Sequence, residues 1–138
     1  MAFRVPYTSI PDPHGSYVHS AILNIGISSA DRNLPRTRPL KAIIDSGASR
    51  CLFHADFAAA IGLDLESGIA ERVRGIGGPE QLWLHDVTLH IPGGSVKVLA
   101  GFKRNLPVAG LLGLSGFFEH YVVTFDGILK ECLLDRVL

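Results

Sequence analysis

The chain reads as an all-β protein, mainly β with one or two short helices, and three observations carry that reading. Fifteen glycines and eight prolines break its 138 residues into short runs. Those runs are rich in Val, Ile, Leu and Phe, which pack well on a pleated surface. Several alternate apolar and polar positions, the period of a half-buried strand.

Taken in order, residues 17–27 (YVHSAILNIGI) form the first strand. Residues 28–39 are polar, contain Pro35 and Pro39, and form a loop. Residues 40–45 form a strand that ends on Asp45. The alanine-rich segment 55–61 is a short helix, because Gly62 follows it in the position favoured just past a helix end. Between 81 and 91 the apolar phase passes from Leu82 and Leu84 to Val87, Leu89 and Ile91. That slip near His85 and Asp86 predicts a bulge. Pro92-Gly93-Gly94 is a turn, and Val96, Val98, Ala100 and Phe102 keep a period of two, which completes a hairpin. Residues 121–125, the turn Asp126-Gly127 and residues 128–134 make a second hairpin.

Length fits one domain, placed at 17–138 behind an N-terminal arm, 1–16. Thirteen basic and thirteen acidic residues give a net charge of zero, and neither sign forms a block that would track nucleic acid or an anionic membrane. Residues 1–17 hold Arg4, three prolines and no apolar segment, unlike a signal peptide. The longest nearly apolar stretch, 108–118, is too short to span a bilayer and contains three glycines. These features predict a soluble, cytoplasmic protein. Cys51 and Cys132 are too few for a disulfide framework and are expected to be reduced, a single bridge between them being the alternative.

The chemistry is sought at Ile43-Ile44-Asp45-Ser46-Gly47-Ala48-Ser49. An apolar strand that delivers Asp at a tight turn sets a carboxylate at the end of a rigid element, partly out of water, where a titrating group is tuned. Ser46 is able to hydrogen-bond locally, and Gly47 permits a turn conformation that a side chain would resist. Other candidates are weaker. His85 and His90, five apart, face opposite sides of a strand unless the bulge intervenes, and His14, His19, His54 and His120 have no partner at a metal-ligand spacing apart from Glu119 beside His120, so no metal is assigned. Ser46, Ser49 and Cys51 cluster without a glycine-flanked nucleophile elbow. Gly75-Ile76-Gly77-Gly78 lacks the Lys-Ser/Thr pair of a phosphate loop and reads as a hairpin tip. Asp126-Gly127 has the pattern of a hairpin turn. One carboxylate therefore looks catalytic.

Asp45-Ser46-Gly47-Ala48 after Ile43-Ile44, together with Leu111-Leu112-Gly113, resembles the retropepsin-like aspartic proteases, the single-lobe relatives of pepsin. Residues 73–78 (VRGIGG) resemble the glycine-rich tip of that family's flap, with Gly75, Ile76, Gly77 and Gly78 as flap and substrate-binding residues. Leu111, Leu112 and Gly113 resemble the motif beneath the active-site loop, 115–120 (SGFFEH) the short helix that follows, and 121–134 the closing hairpin. The resemblance spans about residues 17 to 134. It departs in the long 28–39 loop and in the unmatched arm.

The resemblance implies a closed β-barrel of the acid-protease lobe type, working as a homodimer. Peptide hydrolysis by this route needs two carboxylates across a water, one acting as base and one protonated. Each chain supplies Asp45, so a two-fold dimer must bring two copies together. Two like charges about 4 Å apart at an effective dielectric near 20 repel by roughly 4 kcal/mol. Such a pair retains one proton and gives a bell-shaped pH profile, the behaviour of aspartic proteases as a class. By resemblance, Ser46 braces the loop across the interface and Ala48 supports it. The flap closes over an extended peptide, with Ile44 and Ile76 lining apolar pockets. No cofactor is implied. The alternative is a catalytically inactive module of the same fold that binds peptide or dimerises.

Overall fold

The computed structural model describes residues 2–31, 33–75 and 78–137. Among these, the N-terminal segment forms strands. β1 (Ala2–Pro6) reaches the C-terminal hairpin, and β2 (Thr8–Pro11) makes a separate ribbon with β3 (Tyr17–Ser20). The single strand expected over 17–27 is divided at Ala21. Residues 17–20 pair with β2, whereas β4 (Ile22–Ser29) enters the main sheet. Then follow β5 (Leu40–Ile44), β6 (Leu52–His54), α1 (Asp56–Ala60), a 3₁₀ turn at Leu65–Ser67, β7 (Ile69–Gly75), β8 (Gly78–Ile91), β9 (Gly94–Lys103) and β10 (Gly110–Leu112). The C-terminal hairpin is β11 (Tyr121–Asp126) and β12 (Glu131–Arg136). Helix α1 stops where the sequence places its end, with Gly62 at φ +79°.

The main sheet has the order β4-β5-β10-β6-β9-β8-β7. Strand β4 serves two neighbours in succession: Ile22 to Ile25 pair with β5, and Gly26 to Ser29 pair with β8. Its two halves thus bring the β5 side and the β8 side of the sheet together. Inside sit Ile25, Ile27, Ala42, Ile44, Phe53, Val87, Leu89, Ala100, Phe102 and Leu112, all buried. Each large side chain removed from water contributes about 1.5–3 kcal/mol. A smaller sheet, β1-β12-β11, packs on the core, with Cys132 and Leu134 buried in it.

Two sequence expectations are corrected. The bulge near His85 is absent: β8 pairs without a slip from Trp83↔Phe102 to Ile91↔Gly94, and with β7 from Ile69↔Leu84 to Gly75↔Gly78. Leu82 and Leu84 occupy one face; Trp83, His85, Val87, Leu89 and Ile91 occupy the other. Residues 82–85 are all buried, so this stretch is covered on both faces and shows no single phase. Over 115–120, Ser115 bridges to Arg50 and residues 116–120 form successive turns instead of a helix. Gly116, at φ +102°, interrupts the helical path, and the amides of Phe117 and Phe118 both donate to the Gly113 carbonyl. Phe117 is buried and stacks on Tyr121 at 4.9 Å. Both cysteines are free and buried. No helix among the described residues is long and apolar enough to cross a membrane.

Candidate active site

The position of Asp45 follows from the pairing of β5 with β10. These strands run parallel, with Leu111 opposite Ile43 and Leu112 opposite Ile44. The Asp45 amide continues the ladder by donating to the Leu112 carbonyl at 3.0 Å. The chain then turns. The Gly47 amide donates to Asp45 Oδ1 at 2.8 Å, and the Ala48 amide donates to the Asp45 carbonyl at 3.2 Å. One carboxylate oxygen is thereby oriented by a backbone donor while the residue stays half-buried at the surface. Ser46 is exposed.

Leu114 and Ser115 donate to the carbonyls of Ala48 and Ser49, at 2.9 and 3.0 Å, and so stitch the Asp45 loop to the segment after β10. Gly113 lies where these segments cross. A Cβ there would stand 2.4 Å from the Arg50 carbonyl oxygen and 2.6 Å from that of Ala48, both immobile backbone atoms. Only glycine fits. Gly47 is a glycine for a different reason from the one the sequence suggested. Its φ is not positive. A Cβ there would sit 3.1 Å from Asp45 Oδ1 and crowd the hydrogen bond that orients the carboxylate.

Above the loop, the β7–β8 hairpin bounds a cleft of about 430 Å³. Asp45, Gly47, Ala48, Ser49, Arg50 and Leu52 form its floor, Leu111 one side, and Glu71, Val73, Arg74, Glu80 and Leu82 its roof. Ile44 does not line it. It alternates away from the cleft into the core and is 4 % exposed, while Leu111 takes the lining position. Gly75 and Gly78 pair at the end of the hairpin, as the tip reading expects. Ile76 and Gly77 lie outside the described residues. Two ion pairs border the cleft, Arg50 with Glu71 at 3.4 Å and Lys103 with Glu80 at 3.5 Å.

The remaining candidates are engaged elsewhere. Asp126 Oδ1 accepts the amides of Ile128 and Leu129, each at 2.9 Å, and so holds the C-terminal hairpin turn. His85 bonds the Leu65 carbonyl at 2.8 Å, and His90 bonds Ser28 at 2.9 Å from the other face. Burial pushes the Cys51 thiol up to about 11, which leaves it a poor nucleophile. Sequence reasoning missed Arg50, Glu71, Glu80, Leu52 and Leu82, and placed Val73 only within the flap stretch. The alternation of Glu71 and Val73 could have turned them toward the cleft, but nothing local links Arg50 to Glu71 across 21 positions.

A half-buried aspartate on a stitched loop, beneath a long hairpin in a mainly β lobe, defines the single-lobe aspartic protease type. The sequence model of the aspartyl protease family matches residues 36–115, and the chain belongs to that family. Its fold is retropepsin-like. A retropepsin-like aspartic protease from Rickettsia conorii superposes with a TM-score of 0.67 at 17 % identity, covering 97 % of this chain and 89 % of that one. The retroviral protease-like domain of Ddi1 from Leishmania major superposes with a TM-score of 0.53 at 15 % identity, covering 85 % and 94 %. No curated protein sequence matches.

Proposed function

We propose that this protein is an aspartic endopeptidase whose catalytic pair is Asp45 of one copy and Asp45 of a second, related by a two-fold axis. The observation that carries this reading is the Asp45 carboxylate, oriented by the Gly47 amide at 2.8 Å and open to the cleft under β7 and β8. Asp12, Asp31 and Asp126 accept the amide two residues on in the same way; what supports a catalytic role for Asp45 is that its carboxylate opens on the cleft. In the dimer one carboxylate, ionised, takes a proton from the attacking water, and the other, protonated, polarises the peptide carbonyl. Ser46, exposed beside Asp45, braces the loop from the partner's side. Leu111, Leu112 and Gly113 hold it from below.

An extended peptide lies in the cleft as an added strand, with Gly75 and Gly78 leaving room for close backbone approach. Ile76 and Gly77 belong to the same flap on the family pattern. The β4–β8 pairing supports a closed barrel. Residues 17–138 carry the catalytic unit, and the arm 1–16 completes the terminal sheet through β1. The two free thiols fit a reducing, cytoplasmic location.

The sheet edges favour one surface for the second copy. In the β1-β12-β11 sheet, the β1 edge is guarded by Arg4 and Pro6, residues that discourage strand addition. The β11 edge carries no charge and no proline from Tyr121 to Phe125, and exposes Val122 and Phe125.

The test is hydrolysis of an unfolded protein between pH 3 and 7 by wild type and by Asp45→Asn. Cleavage by wild type alone, with a bell-shaped pH dependence, is expected. Equal cleavage by both sinks the assignment to Asp45, and cleavage by neither favours the peptide-binding module. Sedimentation at micromolar concentration is expected to show a dimer; a strict monomer under active conditions defeats the two-aspartate mechanism.

A further inference from the structure

Two ion pairs join the β7–β8 hairpin to the body of the molecule, one on each strand. On β7, Glu71 lies 3.4 Å from Arg50 Nη2; on β8, Glu80 lies 3.5 Å from Lys103 Nζ. Both carboxylates belong to the hairpin and both cations to the body. The pairings Glu71↔Leu82 and Val73↔Glu80 put the two carboxylates on neighbouring rungs of one surface, the surface that roofs the cleft.

The cations stand on fixed supports. The Arg50 backbone bridges to Ser115 and its carbonyl packs on Gly113, so its guanidinium reaches Glu71 from the very loop that holds Asp45. Lys103 ends β9, opposite His54 of β6, with its side chain only 14 % exposed. Each pair alone is weak, because water screens groups that are partly exposed. Two pairs of the same polarity on successive rungs of one face, with Arg72↔Gln81 between them on the other, add to each other, and reversing one charge turns attraction into repulsion at that rung.

We propose that these pairs seat the hairpin over Asp45, so that Arg50, Glu71, Lys103 and Glu80 are positioning residues that set the distance between the cleft's roof and the carboxylate. The inference rests on the protease reading for its consequence and on the geometry alone for the seating. Hydrogen exchange of the amides in 69–75 and 78–84 reads the seating without substrate, and KM for a cleavable peptide reads its consequence. Arg50→Glu and Lys103→Glu are each expected to speed that exchange at least fivefold and to raise KM at least threefold, with kcat changed less. The charge-swapped variants R50E/E71R and K103E/E80K return both quantities to within twofold of wild type.

Unchanged exchange in both single variants overturns the proposal. So does a swapped variant as impaired as its single parent while melting at the wild-type temperature. Should a reversed variant fail to fold, Arg50→Gln and Lys103→Met replace it with the same two readouts. A wild type that cleaves nothing defeats the protease reading, while the exchange measurement still decides the seating.

Discussion

Asp45 and Gly113 show how much a single position carries. Asp45 is legible in sequence because an apolar run ends on it, and its neighbours Ser46, Gly47 and Ala48 are adjacent in the chain. Gly113 is legible only by likeness to a motif, because its crowding comes from Arg50 and Ala48, more than sixty positions away. Gly113→Ala must displace those backbone carbonyls. Overpacking of this kind costs about 1–3 kcal/mol, so a fall of several degrees in Tm is expected together with loss of cleavage. A variant that melts and cleaves like wild type would show that the loop yields at no cost. Cys51 is the opposite case, a residue beside the Asp45 loop whose burial keeps it inert. In the native protein at pH 8 it is expected to resist a thiol reagent until unfolding exposes it.

At the scale of elements, strands that face the core on one side were read correctly from their period. The β8–β9 hairpin and its turn at Pro92-Gly93 are examples. Where the sequence misled, the environment had changed along one strand. Residues 82–85 of β8 are covered on both faces, and a period-two rule has no way to distinguish that from a bulge. The N-terminal strands were missed because β1 and β2 are short and mostly exposed, and because β1 gains its partner from the far end of the chain, Ala2 pairing with Asp135. The unguarded edge of β11 yields a prediction at this scale. Val122→Lys places a charge on an exposed edge position and is expected to shift sedimentation toward monomer and lower activity in proportion, with Tm nearly unchanged. A dimer of undiminished affinity would move the interface elsewhere.

For the molecule as a whole, buried titrating groups define a stability window. Burial raises the Cys51 thiol from 9.0 to about 11, and burial also raises Cys132 and Tyr121. Since the unfolded chain loses these protons first, the stability they confer is full below about pH 9 and is lost as pH rises toward 11. Cys51 alone accounts for about 2–3 kcal/mol of that loss. Burial, and then the Arg36 charge, lower His90 below 6.5. Its contribution has the opposite sense, present above pH 6.5 and lost as pH falls. Urea midpoints are therefore expected to be highest between about pH 6.5 and 9, and Cys51→Ala should flatten the alkaline decline; an alkaline slope identical to wild type would clear Cys51 of that role. The sequence by itself determined the strand-rich class, the most informative aspartate and the order of loop, hairpin and Leu-Leu-Gly motif, because these are local patterns of side-chain period and turn chemistry. Tertiary structure alone decided that β4 bridges β5 and β8, that Gly113 must be glycine, and that Arg50 meets Glu71 above Asp45. Those facts depend on atoms brought together from distant positions, and no local pattern encodes such distances.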